Sequence, residues 1–176
     1  LAAGSDDEDD EEVGVTPGER IAVLSHNSVE FWSFCCAAVC LGAVPTLLNY
    51  KQSHSLFAPM AEAAGVTRVL SSLTFKDVAV QLLKDCPGVR GPVLIMLPCL
   101  PHVGVEISPQ EPAFQNAELR SVSATPGGES AGESYRFERL PPPAPDDVCL
   151  IFYTTGSTKN PKAVPHTHRT ILAGRY

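Results

Sequence analysis

Between residues 20 and 97, short apolar runs alternate with longer stretches that carry helix start and stop signals. Strands that alternate with helices of about ten residues make βαβ units, which build a mostly parallel sheet covered by helices on both faces. The fold class read from this pattern is α/β. After the turn at Pro17-Gly18, Ile21-Ala22-Val23-Leu24-Ser25 reads as the first strand. Asn27 followed by Glu30 has the spacing of a capping box and predicts a helix over 28–41, with Gly42 as its stop. Residues 43–48 read as a second strand, 56–64 as a helix ended by Gly65, and Arg68-Val69-Leu70-Ser71 as a third strand. Pro59 fits that second helix only in its first turn. A third helix over 76–86 is stopped by Pro87-Gly88 and leads to a strand over 92–97.

The order breaks at 98–145, which holds nine of the 16 prolines together with Gly127-Gly128 and many serines. A connection this long inside a compact domain reads as a surface excursion and not as a second core. Order returns with Val148-Cys149-Leu150-Ile151-Phe152-Tyr153, a nearly continuous apolar strand. The expected organisation is therefore an acidic insertion or linker over 1–13, a βαβ subdomain over 14–97, a proline-rich excursion over 98–145, and a strand, loop and helix start over 146–176. The chain begins at Leu1 without an initiator Met and stops inside the last helix, as expected of a fragment.

Charge narrows the classes of partner. The net charge is −7, and seven acidic residues sit unbroken at 6–12, a run expected to stay solvated. Outside it, 13 acidic residues face 13 basic ones, so no surface built for nucleic acid is expected. Residues 1–5 lack the features of a signal peptide. The uncharged stretch 31–50 matches the length of a membrane span. Ser33, Gly42, Pro45, Thr46 and Asn49 interrupt it, so a buried helix followed by a buried strand is the expectation.

The six cysteines, Cys35, Cys36, Cys40, Cys86, Cys99 and Cys149, include no CxxC pair and no zinc-type spacing with His. They are expected to be reduced and buried, as in a cytoplasmic protein. Phe31, Trp32 and Phe34 are expected in the core.

The chemistry concentrates after the strand that begins at Val148, in Tyr153-Thr154-Thr155-Gly156-Ser157-Thr158-Lys159-Asn160-Pro161-Lys162-Ala163-Val164. Small hydroxyl residues around a glycine expose N–H and O–H donors that can wrap an anion, and a lysine at the far end supplies a point charge for a phosphate. A polar turn between two strands has the same composition. A Walker loop is excluded, because Pro161 stands where its glycine precedes the lysine and Ala163 where Ser or Thr follows.

The order Tyr-Thr-Thr-Gly-Ser-Thr-x-x-Pro-Lys-x-Val strongly resembles the signature loop of the adenylate-forming superfamily: acyl-CoA synthetases, nonribosomal-peptide adenylation domains and luciferase-like enzymes. Residues 18–31 and Leu41-Gly42-Ala43-Val44-Pro45-Thr46-Leu47-Leu48-Asn49 are similar to earlier segments of the same family, in the same order. The likeness covers 14–97 and 146–176. It implies that ATP and a carboxylic acid form an acyl-adenylate and pyrophosphate with Mg²⁺, after which a thiol of CoA or of a carrier protein's phosphopantetheine takes the acyl group. By match to the motif, Thr154, Thr155, Gly156, Ser157 and Thr158 would contact phosphates, Lys162 would sit over the β and γ phosphates, and Thr158 would neighbour the metal.

Two positions depart from the family. Lys159 and Ala163 stand where glycine is usual or frequent. If position 159 needs a positive φ, a lysine there costs about 1 kcal/mol; alternatively Lys159 adds a second cation to the phosphate site. His166 and His168 have no nucleophile or carboxylate to pair with, and are read as capping or packing residues, with Thr167 as a helix N-cap. The family's later motifs, for the base, the ribose and the mobile domain, are not found in the sequence. The reading from a different class is a truncated, non-catalytic binding module with the acidic run as its contact surface.

Overall fold

The computed structural model describes residues 15–90, 92–96, 119–122, 142–154 and 161–174. Strand β1 (Arg20–Leu24) is followed by α1 (Val29–Cys40), β2 (Val44–Leu47), α2 (Phe57–Ala64), β3 (Arg68–Ser72), α3 (Lys76–Asp85) and β4 (Val93–Met96). Then come β5 (Leu119–Val122), β6 (Val148–Thr154), β7 (Lys162–Thr167) and α4 (His168–Ala173).

Among the described residues the strands form one sheet in the order β5-β4-β3-β1-β2-β6-β7. Every neighbouring pair is parallel except β6 and β7. The first five strands thus follow the doubly wound order 2-1-3-4-5.

Alternation along each strand sorts the side chains onto two faces. Ala22, Leu24, Val69, Val93, Ile95 and Ile151 face α2 and α3, where Phe57, Met60, Ala61, Ala79 and Leu82 complete the larger core. Ile21, Val23, Leu70, Leu94 and Met96 face the other way, where Phe31, Cys35 and Ala38 of α1 cover them. The βαβ reading thus describes the observed sheet.

The helix ends follow local chemistry. Ser28, one residue later than the predicted cap Asn27, holds the extended φ of −150° and accepts a 3.2 Å bond from the Phe31 amide. A cap must lie two or three residues before the amide it serves, and Phe31 N–H is in reach of Ser28. Gly42 and Gly65, with φ of +78° and +64°, end α1 and α2 as predicted. Pro59 lies in the first turn of α2.

Two expectations need correction. Trp32 is 53% exposed, and Cys36 and Cys40 are also on the surface. Only the positions four and seven beyond Phe31 point at the sheet with it; residues one step further round the helix turn about 100° away. Within 98–145, β5 adds a parallel strand beside β4. The rest of that stretch up to residue 141, and the acidic run at 6–12, lie outside the described residues. None of the described helices is long and apolar enough to cross a membrane.

Candidate functional site

Because β6 runs parallel to β2, its last residue, Thr154, lies at the carboxyl edge of the sheet, the edge at which open α/β sheets hold ligands. There the chain reverses, and β7 returns antiparallel. Tyr153 pairs with Ala163, and Thr154 pairs with Lys162. The hydroxyl-rich segment is therefore the connection of a hairpin whose two last cross-strand partners are the threonine and the lysine singled out in the sequence. Directly opposed residues on antiparallel strands share a face and have Cβ atoms about 5 Å apart.

The two faces of the hairpin differ. Tyr153 turns toward α2, where its phenol donates a 2.7 Å hydrogen bond to the Met60 carbonyl. Burial raises the ionisation of that phenol well above the ordinary tyrosine value. The opposite face carries Phe152, which is 40% exposed, its partner Val164, and His166, whose ring meets Phe152 edge-on at 5.5 Å. Thr154 and Lys162 share this open face, and no described carboxylate pairs with the Lys162 ammonium. A cation and a hydroxyl thus stand at the end of an open apolar strip.

The base of the hairpin is tied down. The Arg169 amide donates to the Pro145 carbonyl at 2.8 Å, and its guanidinium grips Asp146 with bonds of 2.7 and 3.1 Å. That bond raises the arginine's ionisation further. Asp147 accepts the Ala144 amide at 2.7 Å and offers its carbonyl to the His168 amide at 3.2 Å. Thr167 caps α4 as predicted, in a reciprocal capping box with Thr170. His168 opens that helix, and His166 packs on Phe152, so the geometry gives both histidines structural positions.

Thr155, Gly156, Ser157, Thr158 and Lys159 lie outside the described residues, so their contacts and the metal role expected of Thr158 are not placed. The strand β7 was missed in the sequence because Pro165 lies within it. Proline is tolerated there because β7 is an edge strand.

Elsewhere on the carboxyl edge, His26 after β1, Tyr50 after β2 and Phe75 after β3 form a ring cluster, with His26 at 4.6 Å from Tyr50 and 4.8 Å from Phe75. A hollow of about 460 Å³ lies at the amino edge, lined by Gly18, Arg20, Gly42, Pro142 and Asp147. Among the described residues no group of three or more His, Cys, Asp or Glu side chains is placed to hold a metal ion.

Residues 11–176 match the profile of the family described as AMP-binding enzyme. The chain belongs to that family. It is 29% identical over 160 residues to 4-coumarate–CoA ligase-like 3 of Oryza sativa subsp. japonica, a match that covers 91% of this chain and 25% of the rice protein. It is also 29% identical over 162 residues to the long-chain-fatty-acid–CoA ligase FadD13 of Mycobacterium tuberculosis, covering 90% of this chain and 26% of that ligase. The fold resembles the adenylation and carrier didomain of carboxylic acid reductase from Segniliparus rugosus, solved in complex with AMP. That likeness has a TM-score of 0.67 at 21% identity and covers 93% of this chain and 23% of the other. The chain thus spans about a quarter of the length of the curated relatives it matches.

Proposed function

We propose that this chain supplies the triphosphate-binding hairpin of an AMP-forming acid–thiol ligase. The reading rests on one observation above the rest: Thr154 and Lys162 are cross-strand partners on an open face at the carboxyl edge of the sheet. In the proposed reaction an oxygen of the acid attacks the α-phosphorus of ATP, and the bond to pyrophosphate breaks. The thiol of CoA or of a carrier protein's phosphopantetheine then attacks the acyl carbon and releases AMP. Charge gathers on the departing pyrophosphate, so pre-positioned donors and cations lower the barrier.

Each residue has a part in this scheme. Thr154, Thr155, Gly156, Ser157 and Thr158 donate hydrogen bonds to phosphate oxygens, and Lys162 neutralises the β and γ phosphates, with Lys159 as a second cation beside them. Mg²⁺ enters with ATP, and Thr158 is the side chain assigned to its neighbourhood. The acid is left open, because the relatives' names run from 4-coumarate to long-chain fatty acids. A cytoplasmic setting follows from ATP and CoA as substrates.

The match to a quarter of each relative favours a further distinction: these residues bind nucleotide, and turnover requires the remaining parts of the ligase. The test is acid-dependent ATP–pyrophosphate exchange by the full-length protein, assayed with a panel of aryl and fatty acids. Exchange with at least one acid, reduced about 100-fold or more by Lys162→Ala, is the expected result. Exchange that Lys162→Ala leaves unchanged contradicts the assignment.

A further inference from the structure

Helix α1 has two apolar rows. Phe31, Cys35 and Ala38 form the inner one and pack against the sheet. Val29, Trp32, Cys36 and Cys40 follow one another at intervals of three, four and four, and all are exposed, Val29 at 71% and Trp32 at 53%. Such spacing sets them on one stripe of the helix. Val29, Trp32 and Cys36 also line a shallow hollow, together with Asn27, Ser28 and Ser33. Glu30 is the single charged residue of α1. The outer face of a surface helix is ordinarily polar, whereas a helix apolar all round belongs inside a protein.

The sheet repeats the pattern on the same side. Ala22, Thr46 and Ile151 are register neighbours across β1, β2 and β6, and Ala22 and Ile151 face α2 and α3. Phe152, the next residue along β6, therefore faces the side of α1. It stands 40% exposed there, beside Val164 of β7. Parallel sheets are covered on both faces. Among the described residues, the helical part of the core on this side comes from α1 alone. Exposed apolar surface shared by a helix and a strand marks an interaction site. The relatives' length points to the occupant. The chain spans about a quarter of each, so about three quarters of such a ligase lies outside these residues.

We propose that the outer row of α1 and the strip at Phe152 are one side of an interface internal to the ligase, covered by the part of its polypeptide that lies outside residues 1–176. The surface that fits is apolar, with a large side chain seated in the hollow beside Trp32. Helix α1 then has the sheet on one side and further ligase on the other, which accounts for its second apolar row. The inference rests on the family and on the exposed side chains, and not on the phosphate role of the hairpin.

The full-length protein tests this in two ways. Alkylation of Cys36 and Cys40 by iodoacetamide, read by peptide mass spectrometry, is expected to be about tenfold or more slower in the native protein than in urea. The protection should not depend on protein concentration. In the second test, p-benzoylphenylalanine replaces Trp32 or Phe152 and is irradiated. Each position is expected to cross-link to residues of the same polypeptide outside 1–176. Weaker protection overturns the proposal, and so does protection that fades on dilution, as a second copy on this face would give. A cross-linker that joins two copies, reacts only within 1–176 or yields no product overturns it as well.

Discussion

Lys162 stands on an exposed strand end with no described carboxylate at its ammonium, so its removal should cost the fold little. Lys162→Ala is expected to abolish the ATP-dependent rise in thermal unfolding temperature while leaving the temperature without nucleotide unchanged. Differential scanning fluorimetry with and without Mg-ATP measures both. Tyr153 makes the opposite prediction. Its phenol is buried and bonded to the Met60 carbonyl, so Tyr153→Phe removes a tie between β6 and α2. A loss of about 1 kcal/mol in urea unfolding is expected, because the carbonyl is left without that donor. The two residues sit one position apart from a cross-strand pair, yet the proposal gives one to the ligand, while the other ties the scaffold. Pleating explains this, since adjacent strand positions face opposite sides.

At the scale of elements, turn glycines and helix caps carry the local stability. Gly65 ends α2 at φ +64°, and a Cβ there would lie 3.2 Å from the Arg20 guanidinium. Gly65→Ala should therefore destabilise by about 1–2 kcal/mol. Thr167→Ala, which breaks the capping box of α4, should cost about 1 kcal/mol; chemical denaturation of both variants checks the values. Such punctuation is what made the elements legible. Gly42, Gly65 and Pro87-Gly88 ended predicted helices within a residue or two of where they end in the structure. The elements that escaped notice, β5 and β7, are short strands surrounded by or containing prolines, and both are held by pairing with a neighbour across the sheet. Partnership of that kind is long-range and leaves no local signal. The same limit misplaced Trp32, Cys36 and Cys40: apolar character runs all round α1, and only the finished packing shows that Phe31, Cys35 and Ala38 are the buried row.

For the whole molecule, the titrating groups of the interior set the alkaline limit. Burial raises the folded-state ionisation of Cys35 to about 12 and pushes Cys86, Cys149 and Tyr153 above their ordinary values. A raised folded value means that the native state keeps protons that the unfolded chain releases. The associated stability is complete below the unfolded thiol value, near 9, and is lost as pH rises toward 12. Unfolding free energy is thus expected to fall between those limits, and Cys35→Ala should flatten the fall without removing it. Urea titrations at a series of alkaline pH values measure the slope. The candidate site was legible in part: the hydroxyl-rich loop and its lysine stood out in the sequence, and the fold adds the antiparallel return that sets Lys162 opposite Thr154.

That pairing is the centre of the functional account, and backbone amide NMR reads it directly. Mg-ATP titrated into the isotope-labelled protein should shift amides concentrated at residues 154–162, and Lys162→Ala should suppress those shifts. Shifts that bypass 154–162, or that persist undiminished in the alanine variant, would contradict the hairpin as the triphosphate site.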